Sequence, residues 1–113
     1  MTAKNKLISA PPYAVEKSIK RLGADLKLAR LRRNLTIDEV AQKIGTGPRA
    51  IRDAENGKPT SGMVVYTALL WAYDLLGQLN EVATPTRDEQ GQVLSRFHER
   101  TRARTKNELD SDF

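Results

Sequence analysis

The residue types that carry catalysis are scarce in this chain of 113 residues. It has no cysteine and one histidine, His98, which excludes thiolate chemistry, disulfides and multi-histidine metal sites. Neighbouring carboxylates occur in three places, Asp38-Glu39, Asp88-Glu89 and Asp110 with Asp112. The first pair suits a helix cap and the other two lie in polar segments, so none forms a preorganised metal cage. We therefore predict no enzymatic activity, no bound metal and no cofactor.

Basic side chains favour an acidic partner instead. Nineteen Lys and Arg face 14 Asp and Glu, a net charge of +5. Residues 16–33 hold seven bases against two acids. This charge permits nucleic acid as the partner, and a solvated helix face is the alternative. No apolar run approaches the ~20 residues of a membrane span and the first residues lack a signal-peptide core. We therefore expect a cytoplasmic protein without a membrane partner.

Apolar spacing predicts an all-α protein in three parts: a flexible arm (1–14), a compact domain (15–84) and a charged tail (85–113). The three- and four-residue spacing predicts a first helix from Tyr13 to about Arg33, with Asn34 as its stop. A fourth helix is expected after Thr60 or Ser61, and Gly77 is expected to separate it from a short fifth one.

The most informative pattern is a pair of short helices predicted between the first and the fourth helix. Thr36–Lys43 opens with a capping box, and Pro48–Glu55 opens with a first-turn proline. A helix-turn-helix needs a small residue where the helices touch, a glycine in the turn and a branched apolar residue on the second helix. Ala41, Gly45 and Ile51 supply these in order.

These motifs carry a resemblance to a known family. Residues 22–82 resemble the lambda-repressor-like domain of Xre/Cro-type transcription factors, through LTIDEVAQKIG (35–45) and IRDAENGK (51–58). The whole chain is similar to HipB-like antitoxins, through PPYAVE (11–16), LWA (70–72) and DSDF (110–113). The resemblance implies a five-helix fold and a homodimer on a palindromic operator of double-stranded DNA. It also implies a HipA-type kinase toxin as partner; a stand-alone regulator without a toxin is the alternative.

The resemblance also implies residue roles, because in this fold the third helix enters the major groove. Four residues are expected to face bases, namely Gly47, Pro48, Arg49 and Arg52. Either arginine can bond a guanine in bidentate fashion, and contact with phosphate or solvent alone is the alternative. Asp53 would repel phosphate, so it either accepts from a cytosine amine or lies aside.

Five residues are expected at phosphates: Thr36, Gln42, Arg30, Asn56 and Lys58. Arg30 is also expected to pair with Glu55, and a purely structural pair is the alternative. Glu55 completes the structural set with Ala41, Gly45 and Ile51. Arg32 and Arg33 are expected to be solvated.

Two further expectations concern aromatic and apolar residues. Trp71 is assigned to the core, with a cofactor site as the alternative, and an apolar strip for dimerisation is expected from Met63, Val65, Tyr66 and Leu76. In the tail, Asp112 and Phe113 are expected to bind the protein partner, and a disordered solubilising tail is the alternative.

Overall fold

The computed structural model describes residues 5–111 of the chain, with side chains for residues 5–105. These residues form seven helices and no strand: α1 (Lys6–Ser9), α2 (Tyr13–Arg32), α3 (Ile37–Ile44), α4 (Pro48–Glu55), α5 (Met63–Ala72), α6 (Leu76–Leu79) and α7 (Glu89–Ser111). The all-α prediction is confirmed and the count of five is wrong. The two additional helices, α1 and α7, lie in the segments predicted to be an arm and a tail.

Helices α2 to α6 surround one apolar core. Its buried members come from α2 to α5 and the turn after α5: Leu26, Ala29, Val40, Ala41, Ile51, Ala54, Tyr66, Leu69, Leu70 and Tyr73. Ile51 and Ala54 are 0% exposed, so the inner face of α4 is fully covered. This burial fixes which face of α4 remains on the surface.

Three helices end on the same backbone motif. After α2, α4 and α5 the residue in the left-handed conformation is Asn34 (φ 54°), Gly57 (φ 68°) and Asp74 (φ 60°). In each case the next amide bonds back to the third-last helical carbonyl, as Leu35 N does to Arg30 O at 3.2 Å. This is the Schellman arrangement, which satisfies the last carbonyls of a helix. Asp74 therefore ends α5, and the prediction that Gly77 makes this break is wrong, since Gly77 lies within α6.

Helices α2 and α4 approach each other closely at two glycines. A Cβ added to Gly23 would clash with the carbonyl oxygen of Ala54 and lie 2.6 Å from that of Glu55. A Cβ added to Gly57 would lie 2.6 Å from the Cα of Lys20. Both glycines thus allow α2 to pack on the C-terminal end of α4.

The chain divides into two compact units between Leu79 and Asn80, ahead of the boundary expected at residues 84 and 85. The second unit contains α7, a helix of 23 residues. Its start has a local cause, because the Gly91 amide donates to the Asp88 carboxylate at 3.0 Å, which caps an otherwise open helix end.

Candidate nucleic-acid interface

The N-terminus of α3 is built by a capping box. The Glu39 amide donates to the Thr36 hydroxyl at 3.1 Å, and the Thr36 amide donates to the Glu39 carboxylate at 3.2 Å. The first amides of α3, on Ile37 and Asp38, lie at the open end of the helix, where backbone N–H groups have no intrahelical acceptor. Such an end, with the positive pole of the helix dipole, suits a phosphate.

A tight turn then joins α3 to α4. Gly45 adopts φ 81°, and the amides of Gly45 and Thr46 both donate to Ala41 O at 2.9 Å. Gly47 is the N-cap of α4 and Pro48 its first residue, where the missing proline N–H leaves no acceptor unsatisfied. Ala41 is buried beneath this turn, which allows the two helices to approach.

The outer face of α4 carries two arginines. Arg49 and Arg52 are both exposed and lie three residues apart, so they occupy the same side of the helix. Gly47 is exposed and Pro48 half-buried at its start, while Gln42 on α3 and Asn56 after α4 are exposed. The structure therefore places the base-facing candidates at one end and along one face of α4.

Arg30 is the most constrained of the candidates. Its Nε donates to Glu55 Oε2 at 2.7 Å, its Nη2 to Glu55 Oε1 at 3.1 Å and its Nη1 to the Leu35 carbonyl at 3.0 Å. The two side chains are 8% and 4% exposed. The hydrogen bonds with Glu55 raise the pKa of Arg30, against the opposing effect of burial. The expected pair is thus present, and its burial favours the structural role over a phosphate contact.

Tyr73 is a core residue close to the Arg30–Glu55 pair. It is fully buried, and its hydroxyl has no hydrogen-bond partner among the described residues. Burial, reinforced by the negative charge of Glu55, raises the pKa of Tyr73 to about 12. The phenol therefore stays neutral at physiological pH and adds no charge beside the Arg30–Glu55 pair.

A surface depression of about 410 Å³ lies between the α2–α3 junction and α4. It is lined by Arg30, Leu31, Asn34, Leu35, Thr36, Ile37, Asp38 and Arg52. The open end of α3 and the Arg52 guanidinium thus face one concavity. Asp38 contributes an opposing charge at its rim.

Asp53 and Lys58 neutralise each other. Lys58 Nζ lies 3.0 Å from Asp53 Oδ1, and the Lys58 amide donates to the Asp53 carbonyl at 3.0 Å. Of the two expectations for Asp53, this geometry favours the one in which it lies aside. Lys58 remains half exposed, so its ammonium is accessible from solvent.

A comparison with models of known protein families finds a match in this region. The family model described as "Helix-turn-helix" matches residues 26–66, which span the end of α2 through the first turn of α5. Residues 26–66 form a helix-turn-helix domain. No curated protein and no solved structure matches the chain significantly. The match supports a DNA-binding transcription regulator.

Two cations, Arg33 and Lys43, bind carbonyl groups at the C-terminal end of α5, and no local sequence pattern predicts these contacts. Arg33, expected to be solvated, donates to Ala29 O at 2.9 Å and to Tyr73 O at 2.8 Å. Lys43 donates to Ala72 O at 3.3 Å. Helix α5 has no basic residue in its own last turn, so α2 and α3 supply the positive charge that its C-terminus favours.

Trp71 lies on the surface, and its assignment to the core is wrong. It is 56% exposed, with the Lys43 ammonium 5.9 Å from its ring centroid. The predicted apolar strip is only partly exposed, because Met63 is 60% exposed while Tyr66 is buried. Val64, at 79%, is the most exposed apolar side chain of α5.

The remaining candidates lie outside this domain. Asp112 and Phe113 fall outside the described residues. Within the part of the chain that the structure describes, no cluster of three or more His, Asp or Glu could hold a metal ion. None of the described helices has the length and apolar character that crossing a bilayer requires.

Proposed function

We propose that the helix-turn-helix domain reads a specific duplex sequence with α4 and acts as a repressor on a palindromic operator. The observation that carries this proposal is the two-sided character of α4. Its inner face is buried to 0% exposure at Ile51 and Ala54, whereas its outer face presents Arg49 and Arg52. A helix held this way has the size and polarity to enter a major groove.

Anchoring to phosphates is assigned to the edges of the motif. Thr36 is the N-cap of α3, Gln42 lies on α3, and Asn56 and Lys58 follow α4; all four are exposed. The Thr36 hydroxyl accepts from Glu39, and its own proton remains free to donate to a phosphate oxygen. Arg30 contributes mainly by positioning α4 through Glu55.

The Arg49→Ala variant tests the reading helix. The cognate duplex is first obtained by selection from a random pool. Loss of a bidentate guanine contact should weaken binding to it by about 1–3 kcal/mol, roughly 5- to 150-fold, and relax preference at one base pair. Competition gel shifts with single-base variants of the selected duplex measure both effects. Unchanged affinity and base preference would contradict the assignment of α4 as the reading helix.

Lys58→Ala provides the contrasting variant. Removal of a phosphate contact should weaken all duplexes similarly and lower the salt slope by about one. Asp53→Asn should strengthen binding to all duplexes and raise the salt slope, because it frees the Lys58 ammonium from the ion pair at 3.0 Å. A change of base preference in Lys58→Ala would assign that side chain to base readout instead.

The finer proposal is that the regulator is an antitoxin. It rests on the resemblance to HipB-like proteins, which act as cytoplasmic homodimers and bind a HipA-type kinase toxin. The exposed Met63, Val64 and Trp71 on α5 provide apolar area for a protein contact. The alternative is a stand-alone regulator with the same DNA-binding domain and no toxin.

Deletion of residues 86–113 tests the proposed role of the tail. The truncated chain should keep its melting temperature and dimerise normally, because the compact unit that holds the helix-turn-helix domain ends at Leu79. Its association with a HipA-type kinase encoded by the adjacent gene should weaken, measured by co-purification and light scattering. Full-affinity kinase binding by the truncated chain would remove the tail from this role. Absence of any kinase partner would favour the stand-alone regulator.

A further inference from the structure

Helix α7 carries a basic stripe, defined here as Arg96, Arg100 and Arg104. The four-residue spacing places the three arginines on one face of the helix. Side chains from residue 93 to residue 105 are all exposed. Residues 96–106 contain five bases and one acid, Glu99, which gives a local net charge of +4.

The stripe is available to an external acceptor. Among the side chains of residues 5–105, none of its arginines forms an ion pair, and the pair found in this unit joins Arg87 to Glu81 at 3.0 Å. Arg96 Nε lies 3.4 Å from the Gln92 carbonyl, longer than an ordinary N–H···O bond. Within the side chains of residues 5–105, these guanidinium groups therefore leave most of their donors unused.

A second copy of α7 does not suit this face as a binding partner. Among the described side chains of the helix, up to residue 105, the exposed apolar ones are Val93, Leu94 and Phe97, at 62%, 50% and 67%. Three partly exposed side chains fall well short of the ~800 Å² per partner that stable interfaces bury. Two such helices would also bring their arginines together. The chemistry of the face fits a polyanion.

We propose that α7 is a second DNA-binding element, whose basic stripe contacts phosphates of the duplex without reading bases. This rests on the proposed function. The stripe spans about 12 Å, from eight residues at 1.5 Å each, and a duplex presents about seven phosphates over that length. Arginine suits such contacts because its planar fork bonds two phosphate oxygens at once.

Covalent linkage makes such a contact effective even when it is weak alone. Once α4 has bound, the covalent connection between Leu79 and Asn80 keeps the unit that contains α7 near the same duplex, which raises the effective concentration of the stripe there. The stripe then adds affinity and salt dependence, and leaves the choice of sequence to α4.

The test compares two full-length double variants that remove equal charge. R100Q/R104Q removes two arginines of the stripe, and R21Q/R32Q removes two exposed arginines of α2. The probe is a random-sequence duplex of about 30 base pairs, titrated by fluorescence anisotropy between about 50 and 200 mM salt. The slope of log Kd against log salt should fall by about 1.8 in R100Q/R104Q. The ratio of variant to wild-type Kd should then change about tenfold across this range, and much less for R21Q/R32Q.

Each outcome has a defined meaning. Equal slopes in the two variants overturn the role of the stripe, and an acidic protein then becomes its expected partner. A change of base preference in R100Q/R104Q overturns the statement that α7 does not read bases. If the wild-type chain binds no duplex, this proposal and the proposed function both fail. Helical circular dichroism verifies that both variants are folded.

Discussion

Replacement of Glu55 by alanine should lower the free energy of unfolding by about 3–5 kcal/mol, because it leaves the Arg30 guanidinium buried without its counter-charge. Arg30 has two of its three protein hydrogen bonds with this carboxylate, at 2.7 and 3.1 Å. For a domain of this size such a loss corresponds to a fall in Tm of more than about 10 °C. Thermal unfolding followed by circular dichroism measures it.

Two further variants separate the pair from general effects of substitution. Arg30→Met with Glu55→Leu removes both charges, and this double variant should be more stable than Glu55→Ala alone. Glu16→Ala removes the carboxylate of an exposed pair, whose Lys20 Nζ lies 3.0 Å away, and should change stability by less than about 0.5 kcal/mol. Simple additivity of Arg30→Met and Glu55→Leu would show that the pair is not coupled.

Replacement of Gly23 by alanine should destabilise the domain, although alanine is the better helix former by about 1 kcal/mol. The added Cβ would clash with the Ala54 carbonyl and approach that of Glu55 to 2.6 Å. Backbone atoms cannot rotate away, so α4 must shift from α2, and overpacking of this kind costs about 1–3 kcal/mol. Urea unfolding measures the loss, and affinity for the selected duplex should fall with it because α4 moves.

Gly77→Ala is the matched control. A Cβ at that position meets no atom within 4 Å in the described structure, and Gly77 lies within α6. The substitution should leave stability unchanged or raise it by about 0.4–1 kcal/mol. Equal effects at positions 23 and 77 would show that the close approach of α2 and α4 does not limit stability.

Local signals account for what the sequence predicted well. Thr36 with Glu39, Gly45 and Pro48 each define a helix end through bonds to near neighbours, and α4 begins and ends at the predicted residues. The Asp88 cap of α7 is equally local. The segregated charges of residues 96–112 favour a solvated tail, and this pattern conceals the helix that the Asp88 cap begins.

Contacts between segments that are distant in the sequence cannot be predicted from such local signals. Helix α5 has the sequence MVVYTALLWA, and with apolar residues on all sides its periodicity does not reveal the buried face. Trp71 was therefore assigned to the core beside Tyr73. The Arg33 bond to Tyr73 O joins residues 40 positions apart, and Gly23 looks like any helical glycine until α4 is placed against it.

Under the proposed function, the three-way contact of Arg30 also bears on how the protein would distinguish one duplex from another. A single planar group joins Glu55 at the end of α4 to the Leu35 carbonyl, one residue before the α3 cap. The reading helix and the phosphate-facing helix end are thereby locked as one pre-organised body, so little ordering entropy is lost when they dock. In this proposed complex, a phosphate bound at the end of α3 is expected to set the depth and register of Arg49 in the groove. We therefore expect a mismatched base pair to meet a surface that adjusts little to it, so that most of its energetic penalty is retained.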